Sequence, residues 1–191
     1  MHYEFLNKKK HYDLLEKYCE ECAKLGYTNN SSIQRLNLTR FKNSLFLIGL
    51  ENDRIVLFQG CHSLILGNTE YWRMGYRGST IIKIKKPINN YLESPGACGI
   101  ALLMMYLSSN YNAKRFIVST NSHKYSKDGA GKSHKMDKIL RRNPGHSLLY
   151  KNIEIFNTIQ NIWELDKNLF TKYFWDQHIH NHTFEEGLID A

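Results

Sequence analysis

The amino-acid sequence predicts an α/β fold with a central mixed sheet, built from an antiparallel N-terminal meander and from helices on both faces. Three observations predict this class. The first half contains short apolar and β-branched runs separated by brief turns. A long apolar segment, too long for one strand, follows them. The last third returns to strand-like alternation, closed by a tight turn.

Length and composition indicate a single domain over residues 1–191. A chain of 191 residues fits one domain, and neither a proline-rich linker nor a break in composition divides it. Four cysteines are too few for a disulfide scaffold, and the N-terminus carries no apolar signal segment. No stretch of 18 apolar residues occurs. We therefore expect a reduced, cytoplasmic protein without a membrane partner.

The net charge of +8 favours polyanionic partners such as nucleic acid or a phosphate-rich cofactor, although solubility alone can explain it. Basic residues concentrate in the second half, which makes nucleic acid a candidate partner. They are Lys83, Lys85, Lys86, Lys124, Lys127, Lys132, Lys135, Lys138, Arg141 and Arg142.

The first half reads as one helix and three strands. Apolar residues at helical spacing predict a helix over residues 9–25. Strands are predicted at Ser44–Leu50, Arg54–Leu66 and Tyr71–Ile84, with turns at residues 51–53 and at Gly67-Asn68. This succession predicts the antiparallel meander.

In the second half, Ser94–Gly99 reads as a small-residue loop before an apolar helix that begins at Ile100 and ends at Tyr111. A strand at Arg115–Thr120 should then lie parallel to the strand before the helix, because a strand–helix–strand crossover makes a parallel pair. A helix at His134–Arg142, a hairpin within residues 148–165 and a helix over residues 166–175 complete the prediction.

This order of elements resembles the GNAT superfamily of acyl-CoA N-acetyltransferases over residues 40–165. The closest local likeness is Cys98–Thr120 (CGIALLMMYLSSNYNAKRFIVST), which resembles the central helix of the family and the fifth strand after it. The run Gln160–Trp163 (QNIW) resembles the final strand of phage-encoded relatives. The resemblance implies an enzyme that transfers an acetyl group from acetyl-CoA to an amine, on a small molecule or a macromolecule.

The small residues before the apolar helix favour a pyrophosphate site, because a helix N-terminus offers unpaired N–H groups and a partial positive charge. The cofactor-binding candidates are Gly96, Ala97, Cys98, Gly99 and Asn121. Glu93, however, stands where the family has Gln or Arg. A second glycine segment, Gly75–Thr80, also departs from the family pattern, so a tight turn without a ligand stays an alternative.

The resemblance also places the acceptor cleft beside the fourth strand and the loop after the fifth. By location, the catalytic candidates are Tyr76, His123 and Tyr125. Backbone N–H groups beside the fourth strand would stabilise the developing oxyanion. The departures from the glycine motif leave an alternative open, in which the chain is a non-enzymatic nucleic-acid-binding or accessory protein on the same scaffold.

Three weaker motifs favour no separate function. Gly131-Lys132-Ser133 lacks the leading glycine of a P-loop. Cys19 and Cys22 have no second ligand pair in sequence and read as small apolar residues on a helix. His178, His180 and His182 would share one face of a strand, where they can bind zinc or nickel, but a polar tail is the preferred interpretation, and no metal is expected.

Overall fold

A computed structural model describes residues 1–24, 44–79, 91–121, 137–155 and 158–189, without the side chains of residues 76–79, 121 and 158. No helix in these ranges is long and apolar enough to cross a membrane. The strands are β1 His2–Phe5, β2 Leu45–Glu51, β3 Arg54–Leu66, β4 Thr69–Ser79, β5 Phe116–Asn121, β6 His146–Ile155, β7 Thr158–Leu165 and β8 Thr183–Phe184. The helices are α1 Tyr12–Lys24, α2 Pro95–Tyr111, the described part of α3 (137–142) and α4 Lys167–Tyr173.

The eight strands form one mixed sheet in the order β6-β7-β5-β4-β3-β2-β1-β8. Neighbours are antiparallel except β4 with β5 and β1 with β8, which are parallel. The predicted fold class is confirmed, as is the predicted parallel pair of the fourth and fifth strands. The sequence analysis missed β1 and β8, which have four and two residues and are too short for a periodic pattern.

The meander has the two predicted turns. Asn52 and Asp53 both have positive φ, of 49° and 56°, which matches a two-residue turn between Glu51 and Arg54. Gly67, with φ 61°, turns β3 into β4. Both turns suit the twist of antiparallel strands, and they hold β2, β3 and β4 in register.

Helix α2 is the centre of the main core. Nine of its residues are buried, and they pack with side chains of β2, β3, β5 and α4. It ends at Asn112, which adopts the left-handed conformation, while the N–H of Ala113 bonds the carbonyl of Leu107. A helix that is apolar on all sides must be covered on all sides, as the sequence predicted.

The start of α2 differs from the sequence prediction. Ser94 is the N-cap, with its Oγ accepting a hydrogen bond from the N–H of Ala97, and Pro95 is the first helical residue. Residues 96–99, predicted as a loop, are therefore the first turn of the helix. Their small side chains carry little helix signal, so the boundary was placed too late.

The opposite face of the sheet is covered by α1. Its residues Leu15, Tyr18, Cys19 and Cys22 pack with Ile48 and Ile55 in a second core cluster. Burial raises the pKa of both thiols, which leaves Cys19 and Cys22 as small apolar residues. The helical periodicity of the sequence also includes Tyr12, which is 51% exposed, so it predicted four of the five positions on the buried face.

Helix α3 is anchored by a buried carboxylate. Asp137 accepts hydrogen bonds from Thr120 Oγ1 (3.2 Å), Asn161 Nδ2 (3.0 Å) and Arg141 Nε (2.9 Å). Burial alone raises the pKa of Asp137, but these donors outweigh it and lower the pKa below the usual value. The network fixes α3 against β5 and β7.

Candidate functional site

The parallel strands β4 and β5 part shortly after they meet. Their described pairs are Trp72 with Phe116 and Arg73 with Ile117. Strand β4 then continues to Ser79 and β5 to Asn121, where β5 pairs with β7 on its other side. Beyond Arg73 and Ile117 no pair between β4 and β5 is found among the described residues, so the edge of β5 toward β4 carries peptide groups that β4 does not pair. We refer to this gap between the two strands as the cleft.

A bulge in β4 adjoins this cleft. Gly60 pairs with Gly75 and Gln59 pairs with Arg77, so Tyr76 is the extra residue of β4. The buried amide of Gln59 donates to the carbonyls of Gly60 and Gly75, both at 3.0 Å. Gln59 therefore satisfies backbone acceptors at the bulge and holds its shape.

Three polar side chains of β3, β4 and β5 lie near the last pairs that join β4 and β5. Arg73 on β4 donates from Nε and Nη2 to Ser119 Oγ on β5, at 3.0 and 2.7 Å. His62 pairs with Arg73 across β3 and β4 and is 1% exposed. Burial and the nearby guanidinium lower the pKa of His62 to about 4, so this imidazole is neutral at pH 7.

Gln59, Arg73 and Ser119 carry no local sequence signal, and His62 is noticeable in the sequence only as the neighbour of Cys61. Each of these residues becomes noticeable only through its cross-strand partner. Alternation places Cys61 and His62 on opposite faces, and Cys61 indeed belongs to the α2 core. A correct register of β3, β4 and β5 would have brought His62, Arg73 and Ser119 together.

The first turn of α2 lies beside the same bulge. A Cβ at Gly99 would be 3.8 Å from Cβ of Gln59, the residue that holds the bulge. The N–H of Ala97 bonds Ser94, as does that of Cys98, and Pro95 has no N–H. Among residues 95–98, Gly96 thus has the N–H group best placed for an external anion.

The other predicted cofactor residues differ in their surroundings. Ala97, Cys98 and Gly99 are buried, whereas Gly96 is partly exposed. Burial raises the pKa of the Cys98 thiol to about 12, and its neighbour Tyr3 donates a hydrogen bond from its hydroxyl to the carbonyl of Pro95. The side chain of Cys98 therefore faces β1 rather than the cleft, and only its backbone remains a cofactor candidate.

The predicted catalytic residues are only partly within the described ranges. The backbone of Tyr76 forms the bulge of β4, and Asn121 is the last residue of β5. The side chains of both lie outside the described part, as do His123 and Tyr125 altogether. The catalytic roles predicted for Tyr76, His123 and Tyr125, and the cofactor-binding role predicted for Asn121, therefore stay predictions.

Comparison with known proteins identifies the fold. No protein-family model matches the sequence, and no curated protein matches it either. Solved structures do match. An aminoglycoside 6'-N-acetyltransferase from Enterococcus faecium superimposes with a TM-score of 0.56 at 14% identity, over 86% of this chain and 96% of that one.

Two further structures agree. An N-acetyltransferase from Staphylococcus aureus Mu50 gives a TM-score of 0.53 at 13% identity, over 87% of this chain and 97% of that one. An aminoglycoside 6'-N-acetyltransferase in complex with coenzyme A gives 0.51 at 14% identity, over 86% and 96%. The chain therefore has the GNAT fold of N-acetyltransferases, as its order of elements predicted.

Proposed function

We propose that this protein is an N-acyltransferase that transfers the acetyl group of acetyl-CoA to an amine of a small-molecule acceptor. The observation that carries the proposal is the parting of β4 and β5 after Arg73 and Ile117, next to the bulge at Tyr76. Fold alone does not determine function. This cleft, however, offers backbone groups at the place where a thioester would have to lie.

The acetyl-CoA donor would bind along the cleft through hydrogen bonds between its amides and the backbone of β5. The β5 edge past Ile117 has peptide groups turned away from β7. An extended arm that contains amides, such as the pantetheine of CoA, can pair with such an edge as an added strand. The pyrophosphate would then lie at the first turn of α2, with Gly96 as its main contact among Gly96, Ala97, Cys98, Gly99 and Asn121.

The chemistry requires few protein groups. The acceptor nitrogen attacks the thioester carbonyl carbon, and the carbonyl oxygen becomes an oxyanion that an N–H of the β4 bulge can stabilise. The carbon–sulfur bond then breaks, the nitrogen loses a proton, and the CoA thiolate gains one. Tyr76, His123 and Tyr125 are the proposed proton carriers, while Arg73 and Ser119 would position β4 relative to β5.

A coupled assay tests the activity. Acetyl-CoA is offered with a panel of amines that includes polyamines, amino acids and aminoglycosides, since two of the similar structures are aminoglycoside acetyltransferases. Release of free CoA thiol that depends on an amine supports the proposal, and mass spectrometry of the acceptor should show the added acetyl group. Thiol release at the same rate with and without every amine, or none at all, would contradict it.

The alternative of a nucleic-acid-binding accessory protein has one supporting observation. Lys138 and Arg142 are exposed on α3, whereas Arg141 is paired with Asp137. If α3 contacts phosphates, affinity for a short DNA duplex should fall steeply with salt, and substitution of Lys138 and Arg142 by Gln should weaken it. No binding at low salt would leave these charges as solvent-exposed surface.

A further inference from the structure

On the side of the first turn of α2 that faces β1, three potential metal ligands converge from two parts of the chain. Cys98 is on the first turn of α2, His178 ends the π-helical turn Phe174–His178, and His182 directly precedes β8. One ligand atom from each residue lies within 4.8 Å of the other two. Cys98 and His178 are buried, and His182 is partly buried.

A hydrogen bond identifies the nitrogen of His178 that is available to a metal ion. Nε2 of His178 lies 2.9 Å from the carbonyl oxygen of Leu92, so it carries the proton and leaves Nδ1 with its lone pair. Metal-bound histidines commonly donate their second N–H to a backbone carbonyl in this way. The His178 and His182 rings stack, with centroids 5.6 Å apart and planes 28° from parallel.

His182 adds an observation that packing does not explain. Its Nδ1 is fully shielded from solvent and has no side-chain hydrogen-bond partner among the described residues, while the ring has a backbone hydrogen bond with Met1. A buried nitrogen without a partner costs free energy, and a bound ion would remove that cost. Tyr3 holds the ring in place from the other side, by an edge contact with centroids 5.3 Å apart.

From this convergence we propose that Cys98, His178 and His182 form a zinc site that ties the C-terminal segment to the first turn of α2. One sulfur and two imidazole nitrogens are donors that Zn²⁺ prefers, whereas Mg²⁺ and Ca²⁺ prefer oxygen. Bonds of about 2.0–2.3 Å in a tetrahedron place ligand atoms about 3.3–3.7 Å apart, so binding draws the three groups together by at most about 1.5 Å. The Cys98 thiol releases its proton to solvent when its sulfur binds the ion. Water fills the fourth position.

The position of the site suggests a structural role. Strand β8 has two residues, and besides its pairing with β1 the C-terminal segment is held by the buried side chain of Leu188 and by the hydrogen bond from Phe5 N to Glu185 Oε2. A metal bond to α2 would link that segment to the most buried helix of the molecule. It would also fix the start of α2, where Ser94 and Gly96 lie.

Cobalt spectroscopy tests the site directly. We expect the purified full chain, stripped with chelator and titrated with Co²⁺, to bind one ion with a sulfur-to-cobalt charge-transfer band and tetrahedral d–d bands. Zn²⁺ should displace it and raise the unfolding midpoint. His182→Gln and His178→Gln should lose both effects, whereas His180→Gln, an exposed neighbour, should keep them.

Cysteine variants test whether Cys98 supplies the sulfur ligand of the bound ion. Cys98→Ser should abolish the charge-transfer band, and Cys22→Ser, in the α1 core, should leave it unchanged. If Cys98→Ser fails to fold, the cobalt spectrum of His182→Gln tests the proposal by itself, because His182 is partly exposed and its substitution should be tolerated. A band that survives His182→Gln, or cobalt binding with no sulfur band in the wild type, would overturn the proposal. So would the absence of binding by the wild type.

Discussion

Glu93 places a negative charge at the entry to α2. It is exposed in the 3₁₀ turn Tyr91–Glu93, one residue before the N-cap Ser94. If the CoA phosphates bind at Gly96, this carboxylate repels them. Removal of one exposed charge is worth about 0.2–1 kcal/mol, so Glu93→Gln should tighten acetyl-CoA binding about 1.5- to 5-fold at low salt.

The matched control for this change is Glu70→Gln, which removes the same charge from the beginning of β4, at the far end of the strand from the bulge. Calorimetric titration of both variants compares the two effects. Equal affinities in Glu93→Gln, Glu70→Gln and the wild type would place the phosphates elsewhere.

The buried imidazole of His62 should make the free energy of unfolding depend on pH. Its pKa is about 4 in the folded chain and about 6.5 when unfolded, so the unfolded state binds more protons between these values. Unfolding free energy therefore falls as the pH drops from 6.5 to 4, by about 3 kcal/mol from this group. His62→Gln should remove that slope, as measured by urea unfolding.

The readout is the change with pH and not the stability at pH 7, which any substitution of a buried residue can lower. His180→Gln, at an exposed position, should retain the wild-type slope. An undiminished slope in His62→Gln would show that its imidazole does not remain neutral in the fold.

At the level of single residues, the sequence indicated candidates that have a local pattern, but it did not indicate which side chains meet across strands. Gly96 and Tyr76 could be located because small residues and aromatic strands leave a local pattern. His62, Arg73 and Ser119 could not, because their relation depends on a register between three strands. Cys98 was interpreted as part of a phosphate loop because its contacts with Tyr3 and with the C-terminal histidines are distant in sequence.

At the level of elements, the first turn of α2 has two glycines with different surroundings. Gly99 packs against the core, whereas Gly96 is the proposed phosphate contact. A Cβ at Gly99 would lie 3.5 and 3.6 Å from the side chains of Leu57 and Leu47, so the γ carbons of valine have no room. At Gly96, Ser94 Oγ at 3.8 Å is the nearest described neighbour. Gly99→Val should destabilise the fold by about 1–3 kcal/mol, and Gly96→Val by less than about 1 kcal/mol.

Thermal and urea unfolding of the two variants measure this difference. Gly96→Val is then the informative variant for cofactor binding, because its fold persists while its branched side chain hinders a phosphate. Equal destabilisation of both variants would contradict the packing described for α2.

Most elements could be predicted because their apolar spacing is local. The two hairpin turns, α1 and the core of α2 follow from periods of two and 3.6 residues and from turn-forming residues. The beginning of α2 and the short strands β1 and β8 could not, since their assignment depends on capping and on pairing with distant strands.

At the scale of the whole molecule, the order of elements was sufficient to predict the GNAT fold, although the sequence matches no family model. The gap between β4 and β5 does not follow from that topology alone, because parallel strands joined through a helix normally pair along their length; here the pairing ends after Arg73 and Ile117, close to the bulge at Tyr76. What the cleft binds does not follow from topology. It depends on backbone groups at the bulge and on the entry to α2, where this chain departs from the family pattern.

Calorimetric titration of the wild-type chain with acetyl-CoA, together with its effect on the unfolding midpoint, tests the central claim most directly. A ligand that binds only the folded state raises that midpoint. We expect one saturable site and a raised midpoint, with both effects weakened in Gly96→Val. No heat and no midpoint shift at millimolar acetyl-CoA would contradict the assignment of the cleft to an acyl-CoA donor.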